Sequence, residues 1–187
     1  MRNMKWCALV ILAMCCRIAT AQTVAAPDFV TRILTLHNAE RARYGEQPLI
    51  WNPKLAEDAQ IWANDLARTR RFEHAPEKPN SALEGENLWM GTAHAFTPEE
   101  MVDAWLAERK DFINGMFPHV SRTGNWHDVG HYTQIIWANT HQVGCAMATN
   151  AHDDFLVCRY LEPGNWDDER TYNSDEHIKN SEISQHL

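Results

Sequence analysis

The chain has few basic residues and no apolar run long enough to cross a lipid bilayer. Its 17 lysines and arginines face 25 aspartates and glutamates, which gives a net charge of −8. Such a chain is not expected to bind nucleic acid or an anionic membrane. The longest apolar run covers residues 6–16, whereas a spanning helix needs about 20 residues. The absence of a Gly-x-Ser-x-Gly motif also disfavours catalysis by a serine of that type.

The first 21 residues predict a secretory signal peptide. Arg2 and Lys5 precede the apolar run, and the small residues Ala-Thr-Ala at 19–21 complete the pattern. Cleavage is therefore expected before Gln22, and the alternative is an uncleaved anchor. Removing this segment would take away three of the basic residues and none of the acidic ones, so the mature net charge would be −11. We expect a secreted or periplasmic protein.

Cysteine is scarce outside the predicted signal peptide. Three of the five cysteines lie within it, and Cys145 and Cys158 remain. Two strand candidates, 143–149 and 154–161, flank residues 150–153, which predict a hairpin loop. That loop sets Cys145 opposite Cys158, at a separation that suits a disulfide. Because an even pair in an exported chain is usually oxidised, we expect this bridge.

The rest of the chain predicts helices first and antiparallel strands later. Residues 70–96 and 114–130 are predicted mostly as loops, and residues 167–187 as a polar, mobile tail. This order favours one α+β domain over residues 28–166. The predicted helices run from the caps Asp28, Asn52 and Thr97 to about residues 44, 69 and 113, and the predicted strands cover residues 131–138, 143–149 and 154–161.

Glu108 is the least expected polar residue of the third predicted helix. It lies seven residues after Met101 and four before Phe112, along the apolar stripe that those residues form. This spacing turns the carboxylate partly into the protein, where it needs a partner or a metal. The alternative is a side chain that reaches solvent from the edge of the stripe. Glu40 continues a similar apolar stripe on the first helix.

Three further residues can join Glu108 in a cluster of two imidazoles and two carboxylates. His131 begins an apolar strand candidate, His74 follows the second helix, and Glu86 lies in a Gly-Glu-Asn-Leu segment. Each has a plain alternative, respectively a hydrogen-bonded structural histidine, a loop histidine and a turn residue. His37 lies in the apolar half of the first helix and is interpreted as a core histidine.

Together these segments resemble the CAP superfamily of cysteine-rich secretory proteins, antigen 5 and plant pathogenesis-related 1 proteins. The matching motifs occur in family order over about residues 28–166, and many short signatures agree at once. The motifs are Leu36-His37-Asn38 with Arg41 and Gly45, Leu49-x-Trp51, Phe72-x-His74, Gly85-Glu86-Asn87-Leu88, Trp105-x-x-Glu108, Gly130-His131-Tyr132-Thr133-Gln134 with Trp137, Gly144-Cys145-Ala146, and Cys158-Arg159-Tyr160 with Pro163-Gly164-Asn165.

The resemblance implies a three-layer α-β-α sandwich, the SCP-domain fold, with a central antiparallel sheet and a large cleft. By motif, His74 and His131 are the metal-binding histidines, and Glu86 and Glu108 face the ion directly or through water. Zinc or another divalent metal would bind with modest, pH-dependent affinity, because two histidines leave coordination positions open. A single possible disulfide fits a bacterial-type, single-domain exported member better than the plant and animal members.

Three functions are compatible with this resemblance. The first is a secreted module that binds a sterol or fatty acid, or that contacts a host or envelope protein. The alternative is a metal-assisted hydrolase, such as a peptidase, in which Glu86 or Glu108 acts as general base on a metal-bound water. The third is a scaffold in which the four side chains only fasten loops. Nucleic-acid binding and stable membrane insertion are not expected.

Overall fold

Helices and strands alternate along residues 28–76 and 83–172, the part of the chain that the computed structural model describes. The predicted signal peptide and most of the predicted tail lie outside this part. The helices are α1 (Phe29–Ala42), α2 (Pro53–Thr69), α3 (Pro98–Leu106) and α4 (Gly130–Ile136), with 3₁₀ turns at Ala107–Lys110 and Trp126–Asp128, and the strands are β1 (Ile50–Trp51), β2 (Gly85–Thr92), β3 (Gln142–Thr149) and β4 (Asp153–Leu161).

Side-chain caps begin the three longest helices, as the sequence predicts. Asp28 and Asn52 each accept a hydrogen bond of 2.8 Å from a backbone N–H in the first turn of α1 and α2. Thr97 and Glu100 form a capping box at the start of α3. These side chains satisfy backbone donors that a first helical turn leaves unpaired, and the predicted helix starts are therefore confirmed.

Four strands form one mixed sheet in the order β1-β3-β4-β2. β4 is antiparallel to both of its neighbours, whereas β1 runs parallel to β3. The prediction of an antiparallel sheet is wrong at this edge, because a strand of two residues is too short to carry an alternating pattern. Along β4, Phe155 and Val157 face α2, while Leu156 and Cys158 face the core formed with α1, α3 and α4. Helices therefore cover both faces of the sheet, as a sandwich requires.

The hairpin of β3 and β4 has the predicted register. Ala148 faces Phe155 and Cys145 faces Cys158, and the two cysteines form a disulfide with their Cα atoms 4.1 Å apart. So short a distance is typical of facing residues that do not exchange backbone hydrogen bonds. The bridge is confirmed, and it joins the two strands near the middle of their paired length.

The segment predicted as a strand over residues 131–138 is helical instead and forms α4. Nearly all of its residues are buried, so its apolar run has no period that separates a buried strand from a buried helix. Arg41 of α1 donates to the carbonyl oxygens of Ile135 at 3.0 Å and Trp137 at 2.8 Å. These bonds satisfy acceptors that the end of a helix leaves unpaired, so this helix depends on a residue far away in the sequence.

Two boundaries inside the domain differ from the prediction. Residues 85–92, predicted mostly as loop, form β2, which pairs with β4 along its whole length. That pairing outweighs the low strand propensity of the glycines and asparagine in β2. The third helix is α-helical only to Leu106, and a 3₁₀ turn then ends at Lys110 rather than near residue 113.

The predicted tail is anchored at its beginning. Phe117 donates its backbone N–H to the carbonyl oxygen of Glu169 at 2.8 Å, Thr171 is buried, and the ring of Tyr172 packs on Tyr44 at 4.5 Å. The folded domain therefore includes residues 167–172, which the sequence assigned to the mobile tail. The rest of the predicted tail lies outside the described residues.

Candidate functional site

His131 and Glu108 form the first of two histidine–glutamate pairs. Glu108 lies in the 3₁₀ turn after α3, and His131 lies in the first turn of α4. Nδ1 of His131 is 2.6 Å from Oε1 of Glu108, and the other carboxylate oxygen accepts the backbone N–H of Tyr132 at 3.0 Å. Because a carboxylate only accepts, Nδ1 donates this hydrogen bond, and Nε2 is the ring nitrogen left open. The carboxylate predicted to need a partner therefore has two.

Trp105 restrains the ring of His131 from the α3 side. The two ring planes are 16° apart, with their centroids at 5.9 Å. The indole Nε1–H donates to the carbonyl oxygen of Leu88 on β2 at 3.1 Å, which fixes the orientation of the indole. His131 is thus held by a carboxylate at one ring nitrogen and by an aromatic plane on one face.

His74 and Glu86 form the second pair, and their support is different. Nδ1 of His74 is 2.7 Å from Oε1 of Glu86, which also accepts the N–H of Ala75 at 3.0 Å. The other oxygen lies 2.9 Å from Nη2 of Arg159, the residue opposite Glu86 on β4. The Glu86 side chain is 8% exposed and that of His74 is 66% exposed. The strands fix the glutamate, whereas the histidine approaches it from a loop.

Asn87 links the strand of Glu86 to the helix of His131. Its amide nitrogen donates to the backbone carbonyl of His131 at 3.0 Å and to the hydroxyl of Tyr160 at 3.2 Å. The Tyr160 hydroxyl in turn lies 2.9 Å from Nε2 of His37. A buried chain of hydrogen bonds therefore runs from α1 through the sheet to the first turn of α4.

His37 is the core histidine that the sequence predicts, and its protonation is fixed by its neighbours. Nδ1 lies 2.8 Å from the carbonyl oxygen of Ile33, so Nδ1 carries the proton and Nε2 accepts from Tyr160. Complete burial lowers the pKa of His37 from 6.5 to about 4. The imidazole is therefore neutral at neutral pH, and it serves as a packed acceptor in the core.

Sequence reasoning missed a third glutamate behind the site. The buried carboxylate of Glu40 accepts the hydroxyl of Tyr132 at 2.7 Å and lies 3.2 Å from Nη1 of Arg109. Burial first, and then hydrogen bonds to Tyr44 and Glu40, raise the pKa of Tyr132. Arg109 and Tyr132 directly follow Glu108 and His131, so Glu40 fastens the same two segments from the core side. The position of Glu40 on the apolar stripe of α1 was the one feature of the sequence that indicated a buried carboxylate here.

The structure brings the four predicted site residues together as two pairs. Across residues 28–76 and 83–172, no three His, Cys, Asp or Glu side chains come close enough together to hold a metal ion. Each pair nevertheless has a carboxylate–imidazole arrangement that orients a ring nitrogen toward a ligand. Three of the four carboxylate oxygens accept a hydrogen bond, and Oε2 of Glu86 has only its ion pair with Arg159, whereas Nε2 of His74 and of His131 has no hydrogen-bond partner within the described residues.

A comparison with protein-family models matches residues 34–160 to the cysteine-rich secretory protein family, CAP. The matched range contains both histidine–glutamate pairs and the disulfide. The chain belongs to the CAP family. The family and the sandwich implied by the sequence motifs are thereby confirmed, and the expectation of a bacterial-type member stays a prediction.

Two plant proteins are among the relatives of this CAP-family chain. It is 36% identical to pathogenesis-related protein PR-1 of Medicago truncatula over 154 residues, covering 78% of this chain and 80% of that protein. It is 31% identical to a pathogenesis-related protein PR-1 type of Sambucus nigra over 175 residues, covering 92% and 100%. Both relatives are similar over most of their own length.

Solved structures agree on the fold. The crystal structure of NaASP2 with Zn²⁺ superposes with a TM-score of 0.62 at 21% identity, covering 76% of this chain and 84% of that protein. At this identity the likeness concerns the fold alone. Within the described residues of the CAP-family chain, no helix has the length and apolar character needed to cross a membrane.

Proposed function

We propose that this CAP-family chain is an exported binding protein in which His74 and His131 hold a divalent metal ion, zinc in the first place. The observation that carries the proposal is the orientation of the two histidines. Each turns Nδ1 to a glutamate, at 2.7 Å and 2.6 Å. A histidine held in this way presents Nε2 to a metal.

The chemistry of the donors supports zinc or a similar ion. Neutral imidazole nitrogens suit borderline metals, and glutamates can face such an ion directly or through water. The related fold of NaASP2 was crystallised with Zn²⁺. Because only two histidines would bind the ion, its affinity would be modest and would weaken as the histidines become protonated. A bound ion would supply positive charge for a polar group of the ligand.

Exposed apolar residues next to His74 and Glu86 in the sequence favour an apolar ligand, which we propose to be a sterol or a fatty acid. Phe72 and Leu83 are each 48% exposed, and they stand two residues before His74 and three before Glu86. Large exposed apolar side chains close to oriented polar groups are typical of sites that bind amphipathic molecules. A host or envelope protein that covers the same surface is the other partner compatible with these residues.

The carboxylates favour binding over hydrolysis. Glu108 accepts from Nδ1 of His131 and from a backbone N–H, and Glu86 is occupied by His74, Ala75 and Arg159. A general base needs an oxygen within hydrogen-bond reach of the water that it deprotonates. In both pairs this oxygen would first have to leave an existing partner, which weighs against a metal-assisted hydrolase.

Export rests on the predicted signal peptide, and two observations support it. The matching family is described as secretory, and the chain carries a disulfide, which persists in oxidising compartments. We therefore place the mature protein outside the cytoplasm, either secreted or periplasmic.

Calorimetric titration of the mature protein with zinc tests the metal site. We expect one saturable site, and at least about tenfold weaker binding in His74→Ala and in His131→Ala, because each substitution removes one of two nitrogen ligands. His152→Ala removes an exposed histidine of the hairpin loop and serves as the matched control, with unchanged binding. Absence of a zinc site, or equal affinity in all four proteins, would contradict the metal site.

A panel of radiolabelled sterols and fatty acids, with and without a chelator, tests the ligand class. Saturable binding of one of them is expected, and binding of none would contradict a lipid-binding function even if zinc binds. Hydrolysis that survives repurification and disappears in Glu108→Gln would instead establish the enzyme. Activity unchanged by that substitution would indicate a contaminant.

A further inference from the structure

The outer edge of β3 is covered by another strand over only a short distance. β1 pairs with it through Ile50 and Trp51 alone, and the chain then turns into α2. β3 continues to Thr149, and among the described residues no strand runs beside this part of its outer edge. A long uncovered edge presents unpaired peptide groups, and such an edge is a template for another extended chain.

An open groove of about 450 Å³ follows this uncovered edge. Phe29 and Trp51 form one wall, with their rings edge to face at 6.4 Å. The first turns of α2 form the other wall, and β3 forms the floor. The residues that line this groove include Phe29, Trp51, Ala56, Glu57, Gln60 and Met147.

Cys145 lines this groove and is 3% exposed, and the strand geometry directs its backbone N–H and C=O toward the outer edge. Its Cα lies 4.1 Å from that of Cys158, the separation of a facing pair whose own N–H and C=O groups point away from the partner strand. Two residues away on either side, carbonyl oxygens already bind groups on this edge. The carbonyl oxygen of Val143 accepts the backbone N–H of Asn52, just after β1, at 2.9 Å. The carbonyl oxygen of Met147 accepts the side-chain amide of Gln60 at 3.0 Å. The peptide groups of Cys145 lie between these two.

We propose that the groove binds an extended peptide, which adds to the edge of β3 at Cys145 and places a basic side chain beside Glu57. Strand addition supplies backbone hydrogen bonds for affinity and pockets for alternate side chains. Trp51 and Met147 offer apolar contacts for one side of the peptide. Glu57 is the charged residue of the lining and its side chain is 71% exposed; Lys54 forms a long ion pair with it at 3.8 Å and lies closer to Asp58, at 3.0 Å.

Charge selects this occupant over two others. The net charge of −8 opposes docking of a second copy of the chain. The carboxylate of a fatty acid would meet Glu57 without a neutralising cation in the lining. A basic peptide gains from the acidic surface and satisfies the edge peptide groups, which a lipid tail cannot do. This interaction is independent of the proposed metal and lipid functions.

Nuclear magnetic resonance titration with a capped pentapeptide of alternating lysine and valine tests the proposal. We expect saturable shifts of the Cys145 and Met147 amides and of the Trp51 indole. The same peptide with glutamate in place of lysine should bind at least fivefold more weakly. In the Glu57→Lys variant, the glutamate peptide should instead bind more tightly than the lysine peptide. Methylation of the central peptide nitrogen should weaken binding about fivefold to tenfold, because it removes a hydrogen-bond donor.

A large side chain that fills the groove gives a test variant, and the same side chain elsewhere on α2 gives its control. Ala56→Trp should abolish the peptide-induced shifts, whereas Ile61→Trp, at an exposed position of the same helix, should leave them unchanged. The proposal is overturned if the lysine peptide produces no shifts at the β3 edge or if the methylated peptide binds equally well. It is also overturned if decanoate produces the same shifts, or if dilution of the protein alone produces them, which would identify a lipid or a second copy as the occupant.

Discussion

The two histidine–glutamate pairs have nearly the same contact, a ring nitrogen at 2.6–2.7 Å from a carboxylate oxygen, on different supports. His131 lies in a helix, stacks on Trp105 and receives a hydrogen bond to its backbone from Asn87. His74 lies in a loop and its side chain is mostly exposed. His131 is therefore built into the fold, whereas the ring of His74 is held by its contact with Glu86 alone, although the adjacent Ala75 N–H binds the same carboxylate.

This difference indicates how the site would respond to a ligand. A ring fixed on two sides loses little rotational freedom when it binds, whereas an exposed loop histidine must be ordered, and ordering reduces affinity. Substitutions that reach the fixed half should therefore change both folding and binding. Substitutions in the loop half should change binding alone. The following predictions test this contrast, beginning with the largest effect.

Arg41→Ala should have the largest effect, because Arg41 is fully buried and holds the end of α4. Its guanidinium donates to the carbonyl oxygens of Gln47, Ile135, Trp137 and Thr140. Leaving the buried acceptors of Ile135, Trp137 and Thr140 unpaired should lower the free energy of unfolding by roughly 3–5 kcal/mol. Urea denaturation measures this loss. Arg43→Ala, at an exposed position of the same turn, should cost under about 0.5 kcal/mol. Equal losses in both variants would refute the role of Arg41.

His37 should make the fixed half sensitive to acid. Burial lowers its pKa to about 4 in the folded chain from the ordinary histidine value of 6.5, so between these pH values the unfolded chain binds a proton that the folded chain does not. Stability should therefore fall as the pH drops from 6.5 to 4, by about 3 kcal/mol in total, and this contribution should be constant above that window.

Urea denaturation at pH 7, 6, 5 and 4 measures the acid sensitivity, with His37→Gln as the reference. The glutamine variant lacks the titrating group, so its stability should depend less steeply on pH in this window. The difference in slope between the two proteins isolates His37 from the carboxylates, which titrate in both. Parallel pH profiles would show that burial does not depress the pKa of His37.

The smallest effects should come from the site histidines themselves. His131→Ala removes a ring that contacts Glu108 and Trp105, so it should lower the free energy of unfolding by about 1–2 kcal/mol. His74→Ala should change it by less than about 0.5 kcal/mol, because the ring is largely exposed. Both variants should lose zinc affinity to a similar extent. A stability loss in His74→Ala as large as that in His131→Ala would remove the distinction between the two halves.

Local signals in the sequence predicted the elements that local contacts determine. The caps at Asp28, Asn52 and Thr97 gave the helix starts, and the hairpin loop gave the register that pairs Cys145 with Cys158. The helical state of α4 was not predictable in this way, because its end is satisfied by Arg41 from almost one hundred residues earlier. Neighbouring residues in the sequence carry no information about such a contact.

The residues of the candidate site were predicted, but their arrangement was not, again because it depends on contacts between distant segments. Family motifs gave all four residues, and the position of Glu108 on an apolar stripe indicated a buried partner. The division into two pairs depends on where the loop before β2 lies relative to α4, which no local pattern determines. Glu40 had the same signal as Glu108, a carboxylate on an apolar stripe, but no motif pointed to its partners.

The partners of α1 also determine when the chain can fold. His37 and Arg41 bind groups at residues 160 and 135–140, so the first helix made during synthesis waits for almost the whole domain before its core contacts exist. Contacts between such distant segments slow folding, because a long loop must close before they form. A fragment that ends before α4 would lack the groups at residues 135–140 and 160, and it would leave Nε2 of His37 and most of the Arg41 guanidinium without these partners.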